Sequence, residues 1–585
     1  MINSNGRKTI ALVIENFFTD FAEEFIQNVV SGIRQRRDLD LVLIAGIYDG
    51  TKDMDDRHHA YRMIYNSIYQ LESKCRFDGI LVCLGSMCNV DRDYLLKRFD
   101  SKIYGVPMIF SISDVEDRIT VNYDNTQGIT EALNALINVH GFTRFCMLGG
   151  RPDNVDSRKR RDIYTRVLNE NGIEFTEDQY EATYMSVNCK NEALALLDRN
   201  PDVEAIFCVN DSVAVGLYEA MEERRLVPGK DIMVFGFDNT KMAGRMIPTL
   251  TSIGADNITL GRRSLELLVD MMNGEDVQPT LIPTRLYGRE SFPYEMYEYN
   301  VMELLNVETD FIYRMFDDCF YRYRYEHISR ESVNLKRLFM EFISKILMAV
   351  KQRYMSMEDY NEAKELIDIF FENGALRFSD AGKLLRSIDR LQNSVNNSLK
   401  SGSSGNNAYI DHLFTHMRDA AIMSLAEDSI RFDDHIVETR QTLSDYLVDI
   451  TNFFDDDTSD SFSNMIMHFD KLGLPNAALF LFDEPAIFSE EKEDLFPDTI
   501  YLHCLTKEGE LYVLPKERQS GRTSDMFRRS ELPPKCRECA AFPIFYRKKI
   551  YGFLVSELTK DIATTGEFIA NQLGRLFYTA IESDT

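Results

Sequence analysis

A chain of 585 residues is too long for a single hydrophobic core and is expected to divide into roughly three or four domains. Its 94 acidic and 66 basic residues leave a formal net charge of -28, which repels phosphate backbones and makes the chain as a whole a poor nucleic-acid binder. The 44% hydrophobic and 27% charged content is that of a globular protein, and no apolar run reaches the roughly 18–20 residues that cross a bilayer. The opening MINSNGRKTIALVIENFF has an apolar run broken by Glu15 and Asn16, so it reads as a first strand and not as a secretory signal. A cytoplasmic protein with no membrane contact is expected, and its ten scattered cysteines fit reduced thiols better than a disulfide framework.

In chain order, residues 8–14 read as a short strand, 21–36 as a helix, 41–46 as a strand and 59–74 as a helix. FDGILVCLGS (77–86) and residues 107–111 supply further strands. The cycle restarts at 125 with a helix to 139, a strand at 144–148 and a helix at 158–171, followed by strand, helix and strand again. Strands alternating with helices of this length imply a parallel sheet covered on both faces, and two such cycles imply two lobes with a cleft between them.

Three stretches stand out because polar groups follow directly on a buried strand. They are MLGGRPDNVDSRKRRDIY (147–164), AIFCVNDSVAVGLYEAM (205–221) and VPGKDIMVFGFDN (227–239). Open α/β sheets bind ligands at the C-terminal ends of their strands, so three such ends within about ninety residues suggest one cleft.

Several ordered segments carry a family resemblance: FDGILV, VPMIFSISD, VNYDNTQGITEALNALINVHGFTRFCMLGG, AIFCVNDSVAVGL, VPGKDIMVFGFDN and PTLTSIGADNITLGRRSLELLVDMMNG. Residues 8 to about 292 resemble the effector-binding core of the lactose-repressor (LacI) family, itself similar to periplasmic sugar-binding proteins. The resemblance implies a two-lobed clamshell, with lobe boundaries near 120 and 252, that binds a small polar, sugar-like effector and pairs as a homodimer. It implies that Arg160 reaches into the cleft, where its rigid fork of donors suits neighbouring hydroxyls or a carboxylate. Asp156 lies one turn earlier, where the family often has Ser or Thr, and this departure adds a charged acceptor. Asn210 and Asp238 match polar effector contacts of the family, and Phe17, Phe18 and Phe21 lie where aromatic rings stack on a sugar or base. The alternatives are a turn cap for Asp238, an N-cap for Asn210 or Asp211, and a solvated helix face for the basic run around Arg160. Repressors of the family begin with a helix-turn-helix of about sixty residues, whereas here the first strand begins at residue 8, so DNA contact is not supported within this chain.

Beyond the clamshell (1–292), residues 293–457 read as a helical region. Apolar residues between 304 and 323 and between 335 and 350 recur at helical spacing, and further helices are expected at 357–371, 381–399, 408–425 and 433–455. SGSSGNN (401–407) is a flexible interruption. These stripes fit a bundle core, or a dimerising helix with Val437, Leu443, Tyr446, Leu447 and Ile450 on its face. Residues 458–585 read as a small α+β domain: a helix at 461–472, strands at 477–483, 499–505 and 510–514, a hairpin at 542–558 and a closing helix at 565–581. This order resembles a GAF domain.

Enzyme motifs are absent: no P-loop, dinucleotide fingerprint, kinase set, nucleophile elbow or GGDEF run appears, and neither a catalytic residue nor a cofactor is expected. Cys536 and Cys539 form one CxxC, His412 and His416 stand four apart, and FDDDTSD (454–460) lacks the glycine and terminal glutamate of a calcium loop. None completes a metal site, although the CxxC leaves open a redox contact or an intersubunit metal. The expected function is a ligand-sensing regulator that relays cleft closure to its C-terminal domains and falls among the transcription regulators. The alternative is the sensory portion of a signalling enzyme, such as a diguanylate cyclase, whose catalytic domain is not in this chain.

Overall fold

The computed structural model describes residues 7–583 except 18–19, 48–55, 88–95, 98, 100–104, 114, 153, 256, 293–305, 307–308, 321–322, 324–333, 380, 401–407, 453–473, 490–491 and 493. The chain packs as two units. One comprises Met1–Thr240, Ser252–Tyr287 and Thr439–Thr585, the other Lys241–Thr251 and Gly288–Glu438. The expected helix at 461–472, the linker at 401–407 and the acidic run at 454–460 lie outside the described residues.

In the larger unit the first lobe is a parallel sheet of strands β1 (Lys8–Ile14), β2 (Leu39–Ala45), β3 (Gly79–Val82), β4 (Met108–Ser111) and β5 (Thr120–Asp124), in the order β2–β1–β3–β4–β5. Residues Ile10 to Ile14 are wholly buried, as the central strand of a sheet covered on both faces must be. The helix Asp20–Arg34 buries Phe25, Val29 and Ile33 and packs beside the helix Asn257–Met272.

The second lobe contains β6 (Phe145–Gly149), β7 (Tyr180–Ala182), β8 (Ala205–Cys208) and β9 (Met233–Phe237), parallel in the order β7–β6–β8–β9. β10 (Thr251–Ala255) extends this sheet beyond β9. The lobes are joined by β11 (Thr280–Tyr287), which serves both. Its first half, Thr280 to Pro283, runs parallel to β5, and its second half, Thr284 to Tyr287, runs antiparallel to β10. Proline has no N–H for a ladder, and here it stands where the strand changes partner. The helix Asn125–Asn134, capped by Asp124, lies so close to this junction that a Cβ at Gly128 would come within 2.3 Å of Ile253.

The C-terminal part of the same unit is an antiparallel sheet. Its strands are β12 (Ala477–Ile487), β13 (Thr499–Lys507), β14 (Glu510–Val513), β15 (Ser520–Arg522), β16 (Glu538–Tyr546) and β17 (Lys549–Glu557). The order is β16–β17–β12–β13, with β14 and β15 both paired to β13, and the helix Lys560–Ser583 covers β16. β16 has a second neighbour: it pairs in parallel with β2, placing Glu538, Cys539 and Ala540 opposite Leu41, Val42 and Leu43. The sequence reads residues 458–585 as a separate module, whereas the structure makes their sheet continuous with that of the first lobe.

The smaller unit is helical. Its helices Thr309–Cys319, Leu335–Gln352, Met357–Glu372 and Ala381–Lys400 enclose a core in which Phe316, Phe320, Phe339, Phe342 and Phe370 meet largely edge to face. Asn334 and Ser356 cap the second and third of these helices by accepting from Arg337 N and Asp359 N, each at 3.0 Å. The two helices expected at 408–425 and 433–455 are one, Ala408–Asn452, because no glycine or proline interrupts the stretch between them. Among the described residues no helix is long and apolar enough to cross a membrane.

Phe370 is buried, with four phenylalanine rings between 5.2 and 5.8 Å away. Phe370→Ala is expected to cost about 3–5 kcal/mol of unfolding free energy in guanidinium titration of the full chain. A loss under about 1 kcal/mol would mean that this core does not carry the unit.

Candidate functional site

The site is built at the C-terminal ends of β6, β8 and β9, facing the junction with the first lobe. The end of β6 is joined closely to the helix Val155–Glu170: Gly150 N donates to Ser157 Oγ at 2.8 Å, and Asn154 caps the helix by accepting from Ser157 N at 2.8 Å. A side chain at Gly150 would meet Met185 and Ser157 at under 3 Å, so this turn requires glycine.

One turn into that helix Arg160 is 4% exposed. Its Nη1 donates to Val209 O at 2.6 Å, its Nε to Asn125 Oδ1 at 3.3 Å, and its Nη2 lies 3.5 Å from Asp238 Oδ1. The guanidinium also lies 3.5 Å from the centroid of the Phe237 ring. Desolvating a cation costs several kcal/mol. A desolvated cation–π contact (about 2 kcal/mol) and charge-assisted hydrogen bonds (about 1.5–3 kcal/mol each) offset this. Arg160 thereby ties the ends of β8 and β9 to the helix that follows β5. Of its five N–H donors, three are directed at these partners.

Asp238 is held in a left-handed turn, with φ of 97° there and 50° at Asn239. What imposes that conformation is Asp211, which is fully buried. Its Oδ2 accepts from Thr240 N at 2.8 Å and Thr240 Oγ1 at 3.0 Å, and its Oδ1 accepts from Ser252 Oγ at 2.6 Å. Ser252 Oγ in turn accepts from Asn239 N at 3.0 Å, and Asp238 N donates to Ile253 O at 2.7 Å. The Asp238 side chain keeps 35% of its surface exposed while protein surrounds the rest. Burial pushes its carboxyl above the ordinary aspartate value, and Arg160 pulls it only partly back. Nearby, burial raises the Tyr123 hydroxyl well above its usual range, with Asp238 adding to the effect, so the phenol keeps its proton. The Tyr123 ring lies 6.4 Å from that of Phe237.

The other sequence-chosen residues have diverse places. The Asn210 side chain caps the helix Asp211–Glu223, accepting from Val213 N at 2.9 Å and donating to Met185 O at 3.2 Å. Asp156 stands in the first turn of the helix that carries Arg160, four residues before it and on the same face. Phe17, 7% exposed, stacks on Phe542 of the C-terminal sheet with ring centroids 5.4 Å apart. Phe21 packs at 5.7 Å from Phe25, and Phe18 lies outside the described residues. Asn125, Tyr123, Phe237 and Ser252 were not singled out by the sequence, and Asp211 was read only as a possible cap. The one local signal is adjacency to Asp238 for Phe237 and to Asn210 for Asp211.

Of the metal and redox candidates, Cys539 is a buried strand residue in β16, and Cys536 Sγ lies 3.6 Å from Asn476 O. Burial pushes the Cys536 thiol up to about 12. His416 Nε2 meets Asp368 Oδ1 at 2.6 Å. Among the described residues no group of three or more His, Cys, Asp or Glu side chains is arranged to hold a metal ion.

Residues 135–292 match the model of a periplasmic binding protein-like domain. Over about half of its length the chain is similar to LacI-type transcriptional regulators. It is 26% identical over 283 residues to the HTH-type transcriptional repressor PurR of Vibrio atlanticus, covering 47% of this chain and 78% of that protein. It is 28% identical over 295 residues to the HTH-type transcriptional regulator CelR of Thermobifida fusca, covering 48% and 81%. The ribose operon repressor of Escherichia coli is 33% identical over 148 residues, 25% of this chain and 43% of the repressor. A solved transcriptional regulator CelR–cellobiose complex, 24% identical, covers 49% of this chain and 85% of that one with a TM-score of 0.40.

Two substitutions test the geometry. Asp211→Ala removes the acceptor for three hydrogen bonds and is expected to cost on the order of 3 kcal/mol in denaturant titration. A change below about 0.5 kcal/mol would show that the turn at Asp238 is held otherwise. The raised Asp238 pKa means that the folded state favours the protonated form. Its stabilising contribution is therefore full below the unfolded-state pKa and is lost as pH rises through the folded one. Asp238→Asn is accordingly expected to raise the melting midpoint at pH 7, by a margin that shrinks as pH falls toward 4; a lowered midpoint at pH 7 would contradict this.

Proposed function

We propose that the protein is a ligand-sensing regulator whose clamshell binds a small polar, sugar-like effector at Arg160 and Asp238. The observation that carries the reading is the pairing of these two residues, the Arg160 guanidinium lying against the ends of β8 and β9 and the Asp238 carboxylate partly exposed beside it. Donors and acceptor side by side suit vicinal hydroxyls, and the Phe237 and Tyr123 rings supply apolar faces beside them. The relatives are named as transcriptional regulators and repressors, which supports a regulatory output. Asp156 and Asn210 are assigned to the rim of the same cleft.

Effector binding would draw the lobes together about the β5, β10 and β11 crossings, and only a higher affinity for the closed form shifts that balance. The closure would be relayed to the helical region and to the C-terminal α+β domain, whose antiparallel sheet with a covering helix is GAF-like. A cytoplasmic homodimer is the assembly we assign, by analogy with regulators of this type.

The test is a thermal-shift screen of the full chain against sugars, nucleosides and small acids, with Arg160→Ala in parallel. A compound at 100 times its dissociation constant should add about 2.7 kcal/mol of stability to the wild type. That shift should vanish in Arg160→Ala. A shift that survives the substitution places the effector elsewhere, and no shift with any compound would overturn the reading.

A further inference from the structure

The C-terminal domain is seated on the first lobe by contacts of several kinds. β16 completes the sheet at β2, and the charged side chains around that seam pair across it. Arg34 Nε meets Glu538 Oε2 at 2.8 Å, Arg537 Nε meets Asp40 Oδ1 at 3.3 Å, and Arg528 Nη2 meets Asp78 Oδ2 at 2.9 Å. Gln70 donates to Lys492 O and accepts from Leu495 N, and Tyr61 OH donates to Glu567 Oε1 at 2.9 Å. Edge strands are ordinarily protected against pairing, so an edge taken up in register by a segment some 500 residues away is a built joint.

One contact of this seat reaches the cleft. Phe17 follows β1 directly, and its ring lies on Phe542, with 20° between the planes. The residues just before it are held in place: Asn16 is buried, and Glu15 N donates to Ser86 Oγ at 3.3 Å. Ser86 lies in the turn after β3 and donates to Cys83 O, while Cys83 N donates to Val13 O. The ends of β1 and β3, which form the first lobe's edge of the cleft, thus share one short segment with the C-terminal domain.

We propose that Phe17 is a positioning residue that couples the C-terminal ends of β1 and β3 to the C-terminal domain: its ring is fixed by Phe542 while the backbone just before it is tied to Ser86. The inference deepens the reading of the clamshell as a sensor, because it names the joint through which occupancy is passed on. Coupling between two sites is reciprocal, so disturbing either ring must be felt on the other side.

Hydrogen–deuterium exchange of the full chain tests this without any effector, so its failure is separable from failure of the ligand screen. In Phe17→Ala, peptides covering 538–546 should exchange about tenfold faster, while those of β8 and β9 keep the wild-type rate. In Phe542→Leu, peptides covering 14–17 and 83–87 should speed up in the same way. Phe17→Leu, which refills the space, should restore most of the protection and serves as the readout if the alanine variant does not fold. The proposal is overturned if acceleration stays on the mutated side, if it spreads evenly over the chain as global destabilisation would, or if Phe17→Leu behaves like Phe17→Ala.

Discussion

Arg160 is the interaction on which the clamshell's interior depends. A buried guanidinium must find several acceptors at once, and those it finds come from three parts of the chain: Val209 after β8, Asp238 after β9 and Asn125 after β5. Asn125 begins the helix that crosses from one lobe to the other, so the cation in the second lobe also touches the hinge. The same pair therefore contributes to how the lobes are joined. The strained turn at Asp238 is compatible with this only because Asp211, with no exposure of its own, anchors Thr240 and Ser252. Burial raises the Asp238 pKa, so holding its charge in the fold carries a desolvation cost that Arg160 offsets only in part.

The second constraint is the sheet joint. Half of the chain has counterparts in regulators such as PurR and CelR, and the C-terminal α+β domain lies beyond that matched half. It is bound to the first lobe through β2 and β16 with backbone pairing, ion pairs and ring contacts together, which makes a loosely tethered module a poor description.

Legibility in the sequence followed how local each signal is. Strands such as 205–208 and 233–237 were readable because continuous apolar runs end in polar turns, whereas Arg160 and Asp238 were chosen through the resemblance to the LacI family. β11 was not, since Pro283 breaks its strand pattern and its role depends on two partners distant in sequence. Asn125 and Asp211 are short polar residues at helix starts, where capping is the ordinary expectation, and only the fold turns one toward Arg160 and the other toward Thr240. Phe17 illustrates the reverse. Its position after β1 suggests a ring for a ligand, yet the ring that covers it comes from residue 542, a pairing that no pattern within the first lobe encodes. The β2–β16 joint was illegible for the same reason: strand propensity announces a strand but not a neighbour some 500 residues away.

The central claim is that the cleft at Arg160 and Asp238 is the effector site. It is tested most directly by a crystal structure of the full chain soaked with the sugars, nucleosides and acids of the ligand panel. The account predicts a compound whose polar atoms lie within about 3.2 Å of both the Arg160 guanidinium and the Asp238 carboxylate. A compound bound elsewhere, with Arg160 and Asp238 still facing only each other, or a cleft left empty by the whole panel, would contradict it.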